Sequence, residues 1–267
     1  MQNKNENIQQ SNPPSNILRL LSLSFNLPIY PRQISQWRGA FIEMAGWQND
    51  LFHNHNTTSI AKPQSSTKHH FRYPLIQYRI RNRQAALLAI NEGADALQQI
   101  LASSDWQINW EGQQQQLKIE DFQMQEHYFR MLPQPRQYKL FKWLPFNSDN
   151  YKKWQDCRNA SERADLMERI LASNLIAVFA NFGWRLPERM EVTLDRVLQE
   201  SWVQHKNVKM IAFNVLFTCN VLLPPQLAIG KSVSAGFGWQ VPMGRPYFNS
   251  NKPSITGKQA TPKDPVL

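Results

Sequence analysis

The sequence predicts an α+β protein in which one order of elements is laid down twice: strand, helix, strand, strand, helix, strand. Three observations predict it. Apolar residues in the first half switch between alternation and helical spacing in that order. The second half repeats most of the order after Pro133 and Pro135. The length, 267 residues, suits two ordinary domains.

Residues 1–15 are polar, contain Pro13-Pro14, and are expected to be disordered. Ile17 to Leu27 reads as the first strand, ended by Pro28 and Pro31. Gln36 to Ala45 sets Trp37, Ala40, Phe41 and Met44 on one helical face. Gly46 to Lys68 is expected as a polar loop carrying His53 and His55. Tyr78 and Ile80 then alternate with Arg79 and Arg81, the sign of a half-buried strand. Asn82-Arg83 is its turn and Ala85 to Ile90 the returning strand. Asn91 is the expected cap of a helix with Ala94, Leu97, Ile100 and Leu101 inward. Trp106 to Trp110 and Leu117 to Phe122 read as extended. This order is the split βαβ, or ferredoxin-like, arrangement, expected over residues 16–125.

Residues 126–137 are expected to be an interdomain link because of their prolines. A second ferredoxin-like domain is expected over 138–245. Its parts are a strand from Tyr138 to Trp143 and a long helix capped by Ser161 and stopped near Gly183. A strand pair, Arg189 to Val203 and Val208 to Asn220, and a last strand from Phe237 to Val241 complete it. Residues 246–267 are polar and Pro-rich and expected to be disordered.

Charge narrows the partners. Lys and Arg total 30 against 20 Asp and Glu. Residues 1–130 carry 12 basic and 10 acidic side chains, whereas residues 131–267 carry 18 and 10. Such an excess favours a polyanion, nucleic acid or an anionic membrane. No apolar run reaches the roughly 18 residues of a membrane span, and the Asn- and Gln-rich start is unlike a signal sequence. Cys157 and Cys219 make neither a disulfide framework nor a CxxC site, which points to the reducing cytoplasm.

Two stretches carry candidate chemistry. Four of the six histidines, His53, His55, His69 and His70, precede the Arg-rich strand, and histidine titrates at about pH 6.5. Solvated loop histidines are the plain alternative. These four lack Cys partners and helical spacing, so no metal site and no cofactor are expected. Residues 228–239 hold Gly230, Gly236 and Gly238 with Lys231, Ser232 and Ser234. Such a segment can bring amides and hydroxyls to phosphates, or can be a tight turn before a strand. It lacks the spacing of a Walker loop.

Taken together, several short motifs resemble the CRISPR-associated Cas-six endoribonucleases of the RAMP superfamily. They are Arg38-Gly39, His53-Asn54-His55, Arg72-Tyr73-Pro74-Leu75-Ile76-Gln77-Tyr78, Asn91-Glu92-Gly93, Trp143-Leu144-Pro145, Leu222-Leu223-Pro224 and the glycine-rich segment. The similarity runs from about Ile17 to Val241 and is greatest to the subgroup with a His-x-His loop. Ala228 and Ala235 depart from the family pattern, the first where a loop glycine is expected and the second where a basic residue is common.

The resemblance implies tandem ferredoxin-like RAMP domains and cleavage of CRISPR precursor RNA within its repeats. It implies metal-independent attack by the 2′-hydroxyl, leaving a 2′,3′-cyclic phosphate and a 5′-hydroxyl. His53 and His55 would be base and acid in unassigned order. Lys231, Arg72 and Arg38 would stabilise the phosphorane, and Gly230, Ser232, Ser234 and Gly236 would line the phosphate-binding loop. Arg79, Arg81, Arg83 and the run Arg136, Lys139, Lys142, Lys152, Lys153 would hold RNA, unless they are solvated surface charges. The partners implied are repeat RNA and CRISPR effector subunits, with a homodimer allowed and no membrane. The rival readings are a non-catalytic RAMP subunit that holds CRISPR RNA and a zinc-stabilised adaptor.

Overall fold

A computed structural model describes residues 17–47, 49–53, 73–103, 105–205 and 208–244. The first half opens with β1 (Ile17–Pro28), α1 (Ile34–Ala45), the short α2 (Asp50–His53), β2 (Ile76–Arg81), β3 (Gln84–Ile90) and α3 (Glu92–Ser103). A hairpin of β4 (Gln107–Trp110) and β5 (Gln113–Gln116) follows, then β6 (Ile119–Tyr128). The second half holds β7 (Met131–Trp143), α4 (Ser148–Asp156), α5 (Ala160–Asn181), β8 (Val192–His205), β9 (Val208–Val221) and β10 (Trp239–Pro242).

Each half forms one four-stranded antiparallel sheet, in the orders β2-β3-β1-β6 and β10-β7-β9-β8. Both orders are those of the split βαβ unit, so the tandem ferredoxin-like expectation matches the architecture. In the second half a 3₁₀ turn, Val233–Ala235, stands where the pattern would place its second helix.

Local chemistry explains most boundaries. Asn82 and Arg83 both take positive φ, 51° and 64°, which suits a two-residue hairpin turn. The long α5 is capped by Asn159, whose side chain accepts from the Glu162 amide at 2.9 Å; the cap expected at Ser161 is therefore two residues earlier. Gly183, at φ 69°, stops the helix as expected. Asn91 does not use its side chain as a cap. Its Oδ1 accepts from the Arg19 amide at 2.9 Å, and its backbone carbonyl accepts from Ala94.

Residues 126–137, expected as a link, are the end of β6 and the start of β7, with only Phe129 and Arg130 between the strands. Phe129 is buried against Phe179 and Trp184. A first core lies between the first sheet and its helices, around Phe25, Trp37, Phe41, Phe52 and Tyr78. A second core takes Leu18, Leu20, Leu88 and Ile90 from the first half together with Leu140, Leu171, Phe179 and Phe217 from the second. The halves thus share a core.

Candidate active site and nucleic-acid interface

The first core fixes α1 on the sheet. Trp37 packs on Phe25 and Phe41, and its indole N–H donates to the Ala86 carbonyl at 3.2 Å. Arg38, next in sequence, leaves that face. Its guanidinium lies 6.0 Å from the centre of the Tyr78 ring and donates to the backbone carbonyl of His53 at 2.6 Å. Tyr78 donates its hydroxyl to the carbonyl of the preceding Phe52 at 3.0 Å. Burial pushes the Tyr78 phenol far above its usual range, so it stays a donor.

His53 differs from its expectation as a loop histidine. It closes α2, which Asn49 starts by accepting from the Leu51 amide, and it is only 4% exposed. Its Nε2 is 3.0 Å from the Trp47 carbonyl oxygen and 3.6 Å from Asp50 Oδ1. The Trp47 indole lies beside the imidazole, ring centres 5.8 Å apart, and is 64% exposed. His55, His69, His70 and Arg72 lie outside the described residues.

The glycine-rich segment is packed tightly. Gly230, Gly236 and Gly238 all have positive φ. A Cβ on Gly230 would come within 2.7 Å of the Trp143 ring, and one on Gly238 would overlap the Ile229 carbonyl. Gly236 abuts the Ile34 side chain of α1 and the Tyr78 carbonyl of β2. This contact brings the segment to the helix that carries Arg38, one turn further on. The amides of Lys231, Ala235, Gly236 and Gly238 donate to backbone carbonyls of the protein. Lys231 keeps an exposed side chain, and partial desolvation lowers its ammonium pKa. Ser232, at φ 54°, and Ser234 are half-buried.

The arginines of β2 separate. The expected alternation exists, but both faces of the strand are covered. Arg79 is 6% exposed and donates to the side-chain oxygen of Gln226 at 3.3 Å, to the Gln226 backbone carbonyl and to Gln77. Burial lowers its pKa to about 10. The same network holds Tyr73, whose hydroxyl donates to the Ala228 carbonyl at 2.8 Å and accepts from Gln77 at 2.9 Å. Desolvation raises that phenol to about 12. Arg79 is thus built into the seam between the halves, not presented on an exterior strand face. Arg81 is half-buried in an ion pair with Asp121.

Beside this network a cleft of about 330 Å³ opens between the halves. Arg79, Arg81 and Lys142 reach it, with Ser22, Phe237 and Trp239. Burial lowers the Lys142 ammonium pKa. Phe141 stacks on Trp239 at 4.1 Å, and the Lys139 ammonium sits 4.9 Å over Phe141. Cations and aromatic faces in one cleft suit phosphates and bases of a single strand. Trp47 and the Gln77–Gln226 network carry no local sequence signal; only the paired burial of Gln77 and Arg79 reveals the second.

Among the described residues no three His, Cys, Asp or Glu side chains form a metal-binding group, and no helix is long and apolar enough to cross a membrane.

Comparison with known proteins identifies the chain on both halves. A crystal structure of Cas6b is similar, with a TM-score of 0.72 at 22% identity over 85% of this chain and 99% of that one. A crystal structure described as CRISPR RNA processing endoribonuclease Cas6b gives 0.64, also at 22% identity over 85% of this chain and 99% of the other. At such identity these likenesses show the fold. An uncharacterized protein of Methanocaldococcus jannaschii is 27% identical over 123 residues, which is 46% of this chain and 78% of that protein. Residues 16–128 match the family described as the Cas6b N-terminal domain and residues 130–243 the Cas6b C-terminal domain, so the chain belongs to the Cas6b family.

Proposed function

We propose that this protein is an endoribonuclease that cleaves CRISPR precursor RNA within its repeats. The observation that carries this is the match of both halves to the two Cas6b domains, since a solved relative is described as a CRISPR RNA processing endoribonuclease. Repeat RNA is the substrate and partner. The basic second half and the cation-lined cleft support that choice.

The ribose 2′-hydroxyl attacks the adjacent phosphate and expels the 5′-oxygen, leaving a 2′,3′-cyclic phosphate and a 5′-hydroxyl. One proton leaves the nucleophile and one reaches the leaving oxygen. His53 and His55 are assigned that proton traffic, since imidazoles titrate near neutral pH. Lys231, Arg38 and Arg72 are the cations for the phosphorane. Gly230, Gly236, Ser232 and Ser234 shape the loop that presents Lys231. These groups suffice without a metal ion.

The test is incubation of the full chain with repeat RNA in excess EDTA, followed by analysis of the product ends. Cyclic-phosphate and 5′-hydroxyl ends are expected. Tight binding without cutting would overturn the enzyme reading in favour of a CRISPR RNA-holding subunit. Loss of cutting in EDTA, restored by magnesium, would overturn metal independence.

A further inference from the structure

We infer that the Trp47 indole is a stacking platform for a nucleobase of the RNA next to the scissile phosphate; this rests on the endoribonuclease reading above, with His53 in its active site. Trp47 is 64% exposed, and among the described residues no large apolar side chain is more so. A single exposed apolar residue is ordinary on a protein surface. This one differs in its place and in how it is held. α1 ends at Gly46, whose φ of 87° turns the chain while its amide donates back to the Ile42 carbonyl at 2.9 Å. The turn brings Trp47 against the short α2. Its carbonyl accepts from His53 Nε2 at 3.0 Å, and its ring lies 5.8 Å from the imidazole, centre to centre. Tyr78 of β2 and Arg38 of α1 hold the carbonyls of Phe52 and His53, so the two rings stand on a fixed backbone. The imidazole is buried and the indole is not.

The surroundings select a base over a phosphate. An open hollow of about 660 Å³ lies beside the indole, lined by Ala45, Gly46, Trp47, Asn49 and Asp50. The half-exposed Asp50 carboxylate has the wrong sign for a phosphate. A nucleobase is neutral and offers a π face to the indole, and its amino or imino edge can donate to a carboxylate. The closeness of the two rings sets the platform within one nucleotide of His53. A base stacked on Trp47 therefore fixes the sugar–phosphate link that the imidazole must reach, which is how a positioned substrate gains rate.

The test uses the full chain as wild type, Trp47→Phe and Trp47→Leu. Phenylalanine keeps an aromatic face, whereas leucine keeps apolar bulk beside His53 and removes the π face. Once the cut has been mapped from the product ends, repeat RNAs carrying one abasic nucleotide at each flanking position are cleaved under single-turnover conditions. In wild type and Trp47→Phe, one position next to the cut is expected to lower kcat/KM by roughly 5- to 150-fold when abasic. Trp47→Leu is expected to lose about as much on intact RNA and to cut the abasic RNA within about twofold of the intact one. Equal abasic penalties in wild type and Trp47→Leu overturn the platform. So does a Trp47→Leu pH–rate profile of altered shape, because an indole supplies no titrating proton and such a change would place the effect on His53. Binding gives a readout independent of cutting: 2-aminopurine is placed at each position of the repeat in turn. Its fluorescence is expected to be quenched on binding at one position in wild type and to recover there in Trp47→Leu. No position that differs between the two proteins overturns the inference. If the wild type cuts no repeat RNA, the endoribonuclease reading fails, while the 2-aminopurine result still decides whether Trp47 stacks a base.

Discussion

Gln226 meets Arg79 across the boundary between the two halves, accepting one Nη at its side-chain oxygen 3.3 Å away and the other at its backbone carbonyl. Arg79 is nearly inaccessible, so its charge is tolerated only because these acceptors surround it. Arg79→Ala leaves the Gln226 carbonyl and the Gln77 side chain without their donor. A destabilisation of about 2–4 kcal/mol is expected in urea unfolding. A midpoint equal to wild type would show that the network contributes nothing.

The cleft cations should act differently. Arg81 is partly exposed on Asp121, and a pair of that kind contributes only about 0–1 kcal/mol. Arg81→Gln combined with Lys142→Gln should leave stability nearly unchanged. It should weaken RNA binding and reduce the salt slope by about 0.7 for each phosphate that these cations neutralise. An unaltered slope would remove this cleft from the RNA path.

Two glycines should respond with opposite sign. Gly238 has φ +70°, and a methyl there would strike the Ile229 carbonyl; Gly238→Ala is expected to destabilise by roughly 2 kcal/mol or more. Gly39 lies on the exposed side of α1 with nothing within 4 Å of an added Cβ. Gly39→Ala should stabilise by about 0.5–1 kcal/mol. Thermal unfolding of the two variants checks both signs.

Alkaline pH should reveal Cys219. Burial raises its thiol from 9.0 to about 12, so the unfolded chain ionises first. Stability from this group is complete below pH 9 and falls between pH 9 and about 12, with a slope near 1.4 kcal/mol per pH unit. Arg79 has a lowered pKa and contributes a slope of opposite sign above about pH 10. Urea midpoints from pH 7 to 10 should therefore fall less steeply in Cys219→Ala than in wild type. Parallel curves would contradict the shift.

The sequence makes α1 legible because Trp37, Ala40 and Phe41 share a face, and it makes the Asn82-Arg83 turn legible because two strands flank it. It hides β5, whose four glutamines favour no strand and gain one only by pairing with Gln107–Trp110. It hides α2, four residues long and held by Arg38 and Tyr78 from elsewhere in the chain. Alternation correctly sets Arg79 opposite Tyr78. That the second half covers this other face depends on Gln226, 147 residues away, which no local pattern reports. For the same reason His53 reads as a loop histidine until Trp47 is seen folded back onto it.

The shared core has a consequence during synthesis. Leu18, Leu20, Leu88 and Ile90 lie in strands complete by residue 90, yet their partners Leu140, Leu171, Phe179 and Phe217 are translated later. On the ribosome the finished first sheet therefore carries a greasy, uncovered face until roughly a further hundred residues have been added, at about 5–20 residues per second. A nascent chain stalled near residue 128 should be a chaperone client, and the released fragment should aggregate, while the complete chain unfolds in one cooperative step.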